Sequence, residues 1–288
     1  MSRFMFIEAE RANYAANSIC RVVKVSRAAY YRWRTGREAK RITKDRELKA
    51  IIVAIHDEHR GRYGAPRICD ELRDRGWRVS RKRVARCMRE LNRIGLRRKR
   101  FRTSKRVAHS IPDLIQRQFY ADAPNIKWLA DTTEIVTGEG KFYIACILDV
   151  FSRRIVGWSM SESNNTELTT NALIMAYELR NPEAGLIHHS DRGSPYIALG
   201  PELQSRKILQ SVGQPATAYD NAMMESFFAT LEKELFQLDG VYLTRAAARS
   251  AVCEYIETYY NRRRIHTKIG RQSPAQFEDR YYAQQPAA

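Results

Sequence analysis

The pattern of apolar and polar positions changes character once along the chain. In the first ~120 residues, apolar positions recur at helical spacing among dense charges. From residue 125 onward, runs rich in Ile, Val, Phe, Tyr and Trp replace them. In the first part, two segments share one outline. Ile19-Cys20-Arg21-Val22-Val23 leads through Lys24 to Val25-Ser26-Arg27, and the pattern continues to Trp33. Ile68-Cys69 leads to Val79-Ser80-Arg81, and the pattern continues through Met88. Each predicts an apolar helix, a turn and a second helix opened by a serine cap, because a serine oxygen at that position can accept from first-turn N–H groups. That is the outline of a helix-turn-helix. In the second segment, a helical projection places Lys82, Arg86, Arg89 and Arg93 on one stripe, with Val84, Cys87, Met88 and Leu91 opposite. These four cations, with Arg27 of the first segment, are candidate DNA contacts. Arg34 to Lys49 reads as a linker or an exposed helix, and Arg97 to Arg102 as a basic run with one aromatic.

In the second part, Ile126–Ile135, Lys141–Asp149 and Ile155–Met160 read as three meandering strands, with turns at Gly138-Glu139-Gly140 and Ser152-Arg153-Arg154. Thr166–Arg180 reads as a helix with Leu168, Ala172, Met175, Ala176 and Leu179 on its core side. Leu186–His189 reads as a fourth strand, and a helix from about Asp220 to Phe236 faces the core with Met224, Phe227, Phe228, Leu231 and Leu235. Strands followed by alternating helix and strand predict an α/β class: a mixed sheet with helices packed on it, preceded by an all-α region.

Charge sharpens this division. The 288 residues carry a net +18. Residues 1–120 hold 33 Lys or Arg against 12 Asp or Glu, 33 − 12 = +21, and the remainder holds 17 against 20, a net −3. A basic part facing a polyanion, joined to a near-neutral part with another task, fits that split. With 44% hydrophobic and 10% aromatic residues, the chain can bury a sizeable core, which excludes global disorder. The central apolar run Phe142–Leu148 is far short of the ~20 residues a membrane span needs, and the first residues lack a signal-peptide pattern, so no membrane role is expected. Five cysteines (20, 69, 87, 146 and 253) without any C-x-x-C pair predict free thiols in a reducing cytoplasm. His56 and His59 lack a cysteine pair at zinc-finger distance and read as ordinary helix histidines.

Three carboxylates stand inside apolar elements. Asp131 lies within the first strand, Asp191 directly after the fourth, and Glu225 on the helix that opens near Asn221. An acid at the edge of buried structure is costly unless paired or bound to metal. Three such groups suggest an oxygen site for hard divalent cations, able to activate a water or hydroxyl against a phosphodiester. No activated Ser, Tyr or Cys nucleophile stands out.

The strings Trp128-Leu129-Ala130-Asp131-Thr132-Thr133, His189-Ser190-Asp191-Arg192-Gly193-Ser194 and Tyr219-Asp220-Asn221-Ala222-Met223-Met224-Glu225-Ser226-Phe227-Phe228 resemble insertion-sequence transposases related to retroviral integrases. More narrowly, with Tyr63-Gly64-Ala65-Pro66-Arg67-Ile68, Tyr260 to His266 and Ser273 to Glu278, the chain resembles the second-reading-frame product of the IS-three family along nearly its whole length. The resemblance implies an RNase H-like catalytic core with Asp131, Asp191 and Glu225 as a DDE triad that binds two Mg2+ or Mn2+ ions. It implies cleavage at the element's ends and strand transfer on double-stranded DNA, with no covalent enzyme–DNA intermediate. Arg192, Asn221, Arg262, Arg263 and Arg264 are expected to support the phosphates.

The intervals are 59 residues between the two aspartates and 33 from Asp191 to Glu225. The second is slightly short for the family, with the shortfall placed at Gly213–Ala216. Glu232 stands where the family tends to carry a basic residue, with Lys233 next. That departure leaves room for an alternative, a sequence-specific DNA-binding regulator with an inactive core. An integrase of retroviral type is disfavoured, because His56, His59, Cys69 and Cys87 lack the paired spacing of its zinc domain. The implied partners are DNA, further copies of the chain for synapsis of two ends, and an upstream-reading-frame protein or fusion. The implied setting is a bacterial cytoplasm, on the nucleoid. The expected division is 1–43 and 44–108 as two helix-turn-helix-like parts, 109–123 as linker and 124–288 as core with C-terminal helices.

Overall fold

The computed structural model of the chain describes residues 2–35, 40–93, 95, 111–213 and 221–285. The basic run from Arg97 and residues 214–220, which include most of the stretch where the spacing shortfall is expected, lie outside the described residues. The chain divides into two compact units, Met1–Gly95 and Leu96–Ala288.

The first unit is all helical. Helices α1 (Arg3–Glu10), α2 (Ala16–Val22) and α3 (Arg27–Arg34) close on Ile7, Ile19, Cys20 and Tyr30. Tyr30 donates its hydroxyl to Glu8, fixing α3 against α1. Helices α4 (Lys40–Glu58), α5 (Ala65–Asp74) and α6 (Arg81–Glu90) form a second triplet over Leu48, Ile52, Ile55, Ile68, Leu72, Val84 and Cys87. Both expected serine caps are present. Ser26 accepts from Ala29 N at 3.1 Å, and Ser80 accepts from Arg83 N at 3.3 Å. The charged stretch after Arg34 is helical from Lys40, so the division expected at 43/44 falls inside α4.

The second unit is a five-stranded mixed sheet in the order β3-β2-β1-β4-β5. Strands β1 (Lys127–Thr137), β2 (Gly140–Asp149) and β3 (Ile155–Ser161) form an antiparallel meander. Strands β4 (Ile187–Ser190) and β5 (Leu209–Val212) extend it in parallel beyond β1. This is the RNase H-like arrangement. Helices α7 (Thr166–Arg180), α8 (Ser194–Ile197) and α9 (Gly200–Ser205) cover the sheet face that carries Trp128, Ala130, Ala145, Ile147 and Val156. Alternation sends Leu129, Asp131 and Cys146 to the other face. The chain continues with α10 (Ala222–Leu231), a π turn (Glu232–Phe236), α11 (Gln237–Asp239), α12 (Arg245–Glu254), a second π turn (Tyr255–Tyr260), a 3-10 turn (Thr267–Ile269) and α13 (Pro274–Ala283), of which α10 packs on β1 and α12 on β2.

Helix α7 has the expected bounds, but its buried stripe is rotated. Thr169 and Leu173 join Leu168, Ala172 and Ala176, while Leu179 stays 56% exposed. Gly157 explains how closely α7 approaches β3, since a Cβ there would sit 2.3 Å from the Ala172 carbonyl oxygen. The stretch expected to be linker is partly built into the sheet. Val212 N donates to Pro112 O, Leu114 N donates to Ser211 Oγ, and Ile115 is buried.

The C-terminal elements are tied to the sheet by buried polar contacts. Asn261 exchanges two 2.9 Å hydrogen bonds with the Ile155 backbone and so satisfies part of the β3 edge. Glu278, on α13, accepts from Arg180 at 2.8 and 2.9 Å, from Arg154 at 2.8 Å and from Ser152 Oγ at 2.6 Å. Asp149, fully buried at the end of β2, accepts from Asn125 N and Ser152 N.

Candidate active site

The parallel register of β1 and β4 brings two of the three expected acids together. Ala130 pairs with Ser190, and each is followed at once by an aspartate, Asp131 and Asp191. Neighbouring strands lie about 4.8 Å apart, so the two carboxylates leave adjacent backbones at the carboxyl end of the parallel pair. In open α/β sheets, ligands collect at that end. Both aspartates are partly exposed. Asp131 Oδ1 accepts from Thr132 N at 2.8 Å, and Asp191 Oδ1 accepts from Gly193 N at 3.0 Å.

Helix α10 is fastened to the same strand. Asn221, just before it, donates Nδ2 to the Ala130 carbonyl at 3.0 Å, one residue before Asp131. Glu225 lies one turn along, its N–H bonded to Asn221 O at 3.0 Å, so it stands on the Asn221 side of the helix. Among the described residues, no group of three or more His, Cys, Asp or Glu side chains is arranged to hold a metal ion. The donor chemistry suits a hard divalent cation, since the paired aspartates offer carboxylate oxygens at a partly open strand end. Glu225 is not drawn in with them as a closed cage.

The surroundings disfavour other chemistry. Cys146, opposite Asp131 on β2, is buried, and burial together with the Asp131 charge pushes its thiol well up. A thiol held neutral there is no nucleophile. Burial likewise pushes the Tyr196 phenol well up, reinforced by the charges of Asp131 and Asp191, so it keeps its proton.

The expected phosphate contacts fare differently from one another. Arg192 is buried, and its Nε donates to Gly213 O at 2.6 Å, which ties the ends of β4 and β5. Asn221 is buried and positions α10. Arg264 is buried and grips Glu234 with two 2.8 Å bonds, over the Tyr260 ring. Arg262 and Arg263 are exposed. The three consecutive arginines are therefore not one surface, because Arg264 points into the core. Glu232 opens the first π turn, whose wider turn rotates the following residues less per step than an α-helix does.

In the first unit the basic stripe needs revision. Helix α6 ends at Glu90, and Asn92 takes a left-handed φ of 53°, so Arg93 leaves the helix and pairs with Asp57 of α4 at 2.7 Å. Arg86 pairs with Asp45 of α4 at 2.7 Å, beside Arg83, which takes the other Asp45 oxygen. Two of the four stripe cations, Arg86 and Arg93, are thus paired with acids of α4. Lys82 and Arg89 remain exposed, joined by Arg78 and Arg81. The turn between α5 and α6 is concave and lined by Arg73, Gly76, Trp77, Arg78 and Val79. Arg27 is exposed at the start of α3. His59 stacks on Tyr63 at 3.8 Å and its Nε2 lies 3.3 Å from Glu71, a structural role.

Comparison with known proteins follows the same division. Residues 43–101 match the family described as HTH-like domain, and residues 121–218 and 225–281 match two described as Integrase core domain. A relative in Shigella sonnei, "Insertion element IS600 uncharacterized 31 kDa protein", is 39% identical over 92% of this chain and 98% of its own length. "Transposase InsF for insertion sequence IS3A" of Escherichia coli (strain K12) is 36% identical over 98% of this chain and all of the relative (100%). The chain belongs to the IS3 family of transposases. Among solved structures, this transposase is similar to the HTLV-2 integrase catalytic core domain in complex with magnesium, with TM-score 0.45 and 18% identity over 55% of this chain and 99% of that one. It is also similar to a chain of the simian T-cell lymphotropic virus intasome, with TM-score 0.47 and 13% identity over 82% of this chain and 75% of that one. No described helix of the transposase is long and apolar enough to cross a membrane.

Proposed function

We propose that this IS3-family transposase cuts and joins DNA at Asp131, Asp191 and Glu225, which would hold Mg2+ or Mn2+, as two ions. The observation that carries the reading is the β1–β4 register, which sets Asp131 and Asp191 side by side. When bound, the cations would activate the attacking oxygen and stabilise the leaving one. Backbone N–H donors orient both aspartates, Thr132 N on Asp131 Oδ1 and Gly193 N on Asp191 Oδ1. The neutral, buried Cys146 offers no protein nucleophile, which supports direct transfer. Water attacks a phosphodiester at the element's end. A P–O bond to the water oxygen forms, the bond to the 3′-oxygen breaks, and that oxygen leaves with a proton as a free 3′-hydroxyl. The hydroxyl then attacks a target phosphodiester, forming the joined strand as the target's own 3′-oxygen departs.

The basic first unit would hold double-stranded DNA, through Lys82, Arg89, Arg78 and Arg81 on α6 and its turn and through Arg27 on α3. Residues 1–43 and 44–108 would be the DNA-holding parts and 124–288 the catalytic part. Joining two ends needs two sites, which supports an assembly of copies, with or without an upstream-frame partner, on the bacterial nucleoid. The test uses a duplex bearing the element's own ends. Asp191→Asn is expected to abolish Mg2+-dependent cleavage and leave DNA affinity within about twofold. Equal cleavage by both proteins would remove Asp191 from the reaction.

A further inference from the structure

A chain of hydrogen bonds joins the two aspartates from behind the sheet. On the β1 side, Thr132 N donates to Asp131 Oδ1 at 2.8 Å, while the Thr132 hydroxyl shares a 2.9 Å hydrogen bond with the Tyr196 hydroxyl. On the β4 side, Tyr196 N donates to Gly193 O at 3.0 Å, and Gly193 N donates to Asp191 Oδ1 at 3.0 Å. Tyr196 itself is pinned. It is 4% exposed among Trp128, Ala130 and Leu203, and Gln210 of β5 donates to its carbonyl at 2.9 Å. The phenol is the one link in this chain that reaches from the Asp191 loop across to β1.

We propose that the Thr132–Tyr196 hydroxyl pair is a clamp that sets the spacing of the Asp131 and Asp191 carboxylates for metal binding. Both are positioning residues, acting through the aspartates and touching neither cation nor DNA. The inference rests on the reading of Asp131 and Asp191 as metal ligands. Its physical basis is that a metal site needs its ligands held by outer partners, whose loss typically costs 10–100-fold in affinity. Thr132 lies on the face opposite Asp131, so removing its hydroxyl alters support without altering the ligand itself.

The experiment compares Tyr196→Phe, Thr132→Val, Thr132→Ser and Asp131→Asn in the full chain. Mn2+ binding is measured by calorimetry, the Mg2+ concentration for half-maximal cleavage on the element's ends is determined, and melting temperature controls for folding. Tyr196→Phe and Thr132→Val are expected to weaken Mn2+ binding about 10-fold or more and to raise the Mg2+ requirement by a similar factor. Cleavage at saturating Mg2+ should recover to within a few-fold of wild type. Thr132→Ser, which keeps the hydroxyl, should bind Mn2+ like wild type. Wild-type Mn2+ affinity in both hydroxyl-deleted variants, alongside loss of binding in Asp131→Asn, overturns the clamp and leaves the site intact. Unchanged Mn2+ binding in Asp131→Asn overturns the underlying assignment. If Tyr196→Phe melts well below wild type, Thr132→Val against Thr132→Ser decides.

Discussion

Arg264 offers a sharp contrast between a surface role and a core role. It sits in a run of three arginines that reads as a phosphate clamp, yet its guanidinium is 7% exposed and faces Glu234 at 2%. Two 2.8 Å bonds join them, and Tyr255 donates its hydroxyl to the same carboxylate at 2.9 Å. The pair joins the π turn after α10 to the segment after Tyr260 across 30 residues of sequence. Arg264→Ala removes the buried cation that balances the Glu234 charge. Breaking a buried pair on one side costs about 3–5 kcal/mol. At about 2–4 °C per kcal/mol for a unit of this size, the melting temperature should fall by roughly 6–20 °C. Arg264→Lys keeps the charge but loses the planar fork, and should fall less. Replacing both partners, Arg264→Met with Glu234→Leu, should recover most of the loss, because the desolvation cost disappears with the charges. The assay is thermal unfolding followed by circular dichroism, with DNA affinity measured well below the transition. An Arg264→Ala protein that melts within about 2 °C of wild type, while its DNA affinity loses about one unit of salt slope, would show that Arg264 meets phosphate and that the buried-pair argument is wrong.

Two further predictions concern acid stability and DNA binding. His188 is fully buried, and burial, helped by His189, lowers its pKa to about 4. The unfolded chain takes up this proton near pH 6.5 and the folded one resists until about pH 4, so stability is present above pH 6.5 and is lost as pH falls towards 4, by roughly 3 kcal/mol. His188→Phe should show a smaller drop in urea midpoint between pH 7 and pH 4.5, and an unchanged drop would contradict the assignment. On α6, Lys82→Ala and Arg89→Ala should each reduce the salt slope of DNA binding by about 0.9, whereas Arg86→Ala should act through loss of its contact with Asp45. Equal salt slopes for all three variants and wild type would refute the division.

Local signals were the legible part of the fold. Helix α7, the capped starts of α3 and α6, and the β1–β3 meander follow from periodicity, serine caps and turn residues, which act within a few positions. The placement of Asp131 and Asp191 was also legible, because each ends or interrupts an apolar strand. What escaped is set by partners distant in sequence. Asp45 captures Arg83 and Arg86 from 38 and 41 residues away, so a helical projection that treats α6 alone counts Arg86 as open. Arg93 was misplaced because a left-handed Asn92 ends the helix earlier than periodicity suggests. Arg192, Arg264 and Glu278 are struts whose burial no local pattern announces. Tyr196 reads in sequence as one more aromatic, and only the fold brings its hydroxyl to Thr132.

Asp131, Asp191 and Glu225 are proposed to act as one site, and Glu225 is the member on which that proposal turns. The strand register already joins the two aspartates, while the seating of α10 on β1 through Asn221 anchors only the start of the helix that carries Glu225. The measurement is single-turnover cleavage and joining of the element's own terminal duplex in Mg2+ by wild type and Glu225→Gln, with melting temperature and DNA affinity recorded on the same preparations. Glu225→Gln is expected to melt and bind DNA like wild type, yet to lose at least 100-fold, on the order expected for removing a group of a unified catalytic set, in both steps. A Glu225→Gln protein that cleaves and joins at the wild-type rate would take Glu225 out of the site.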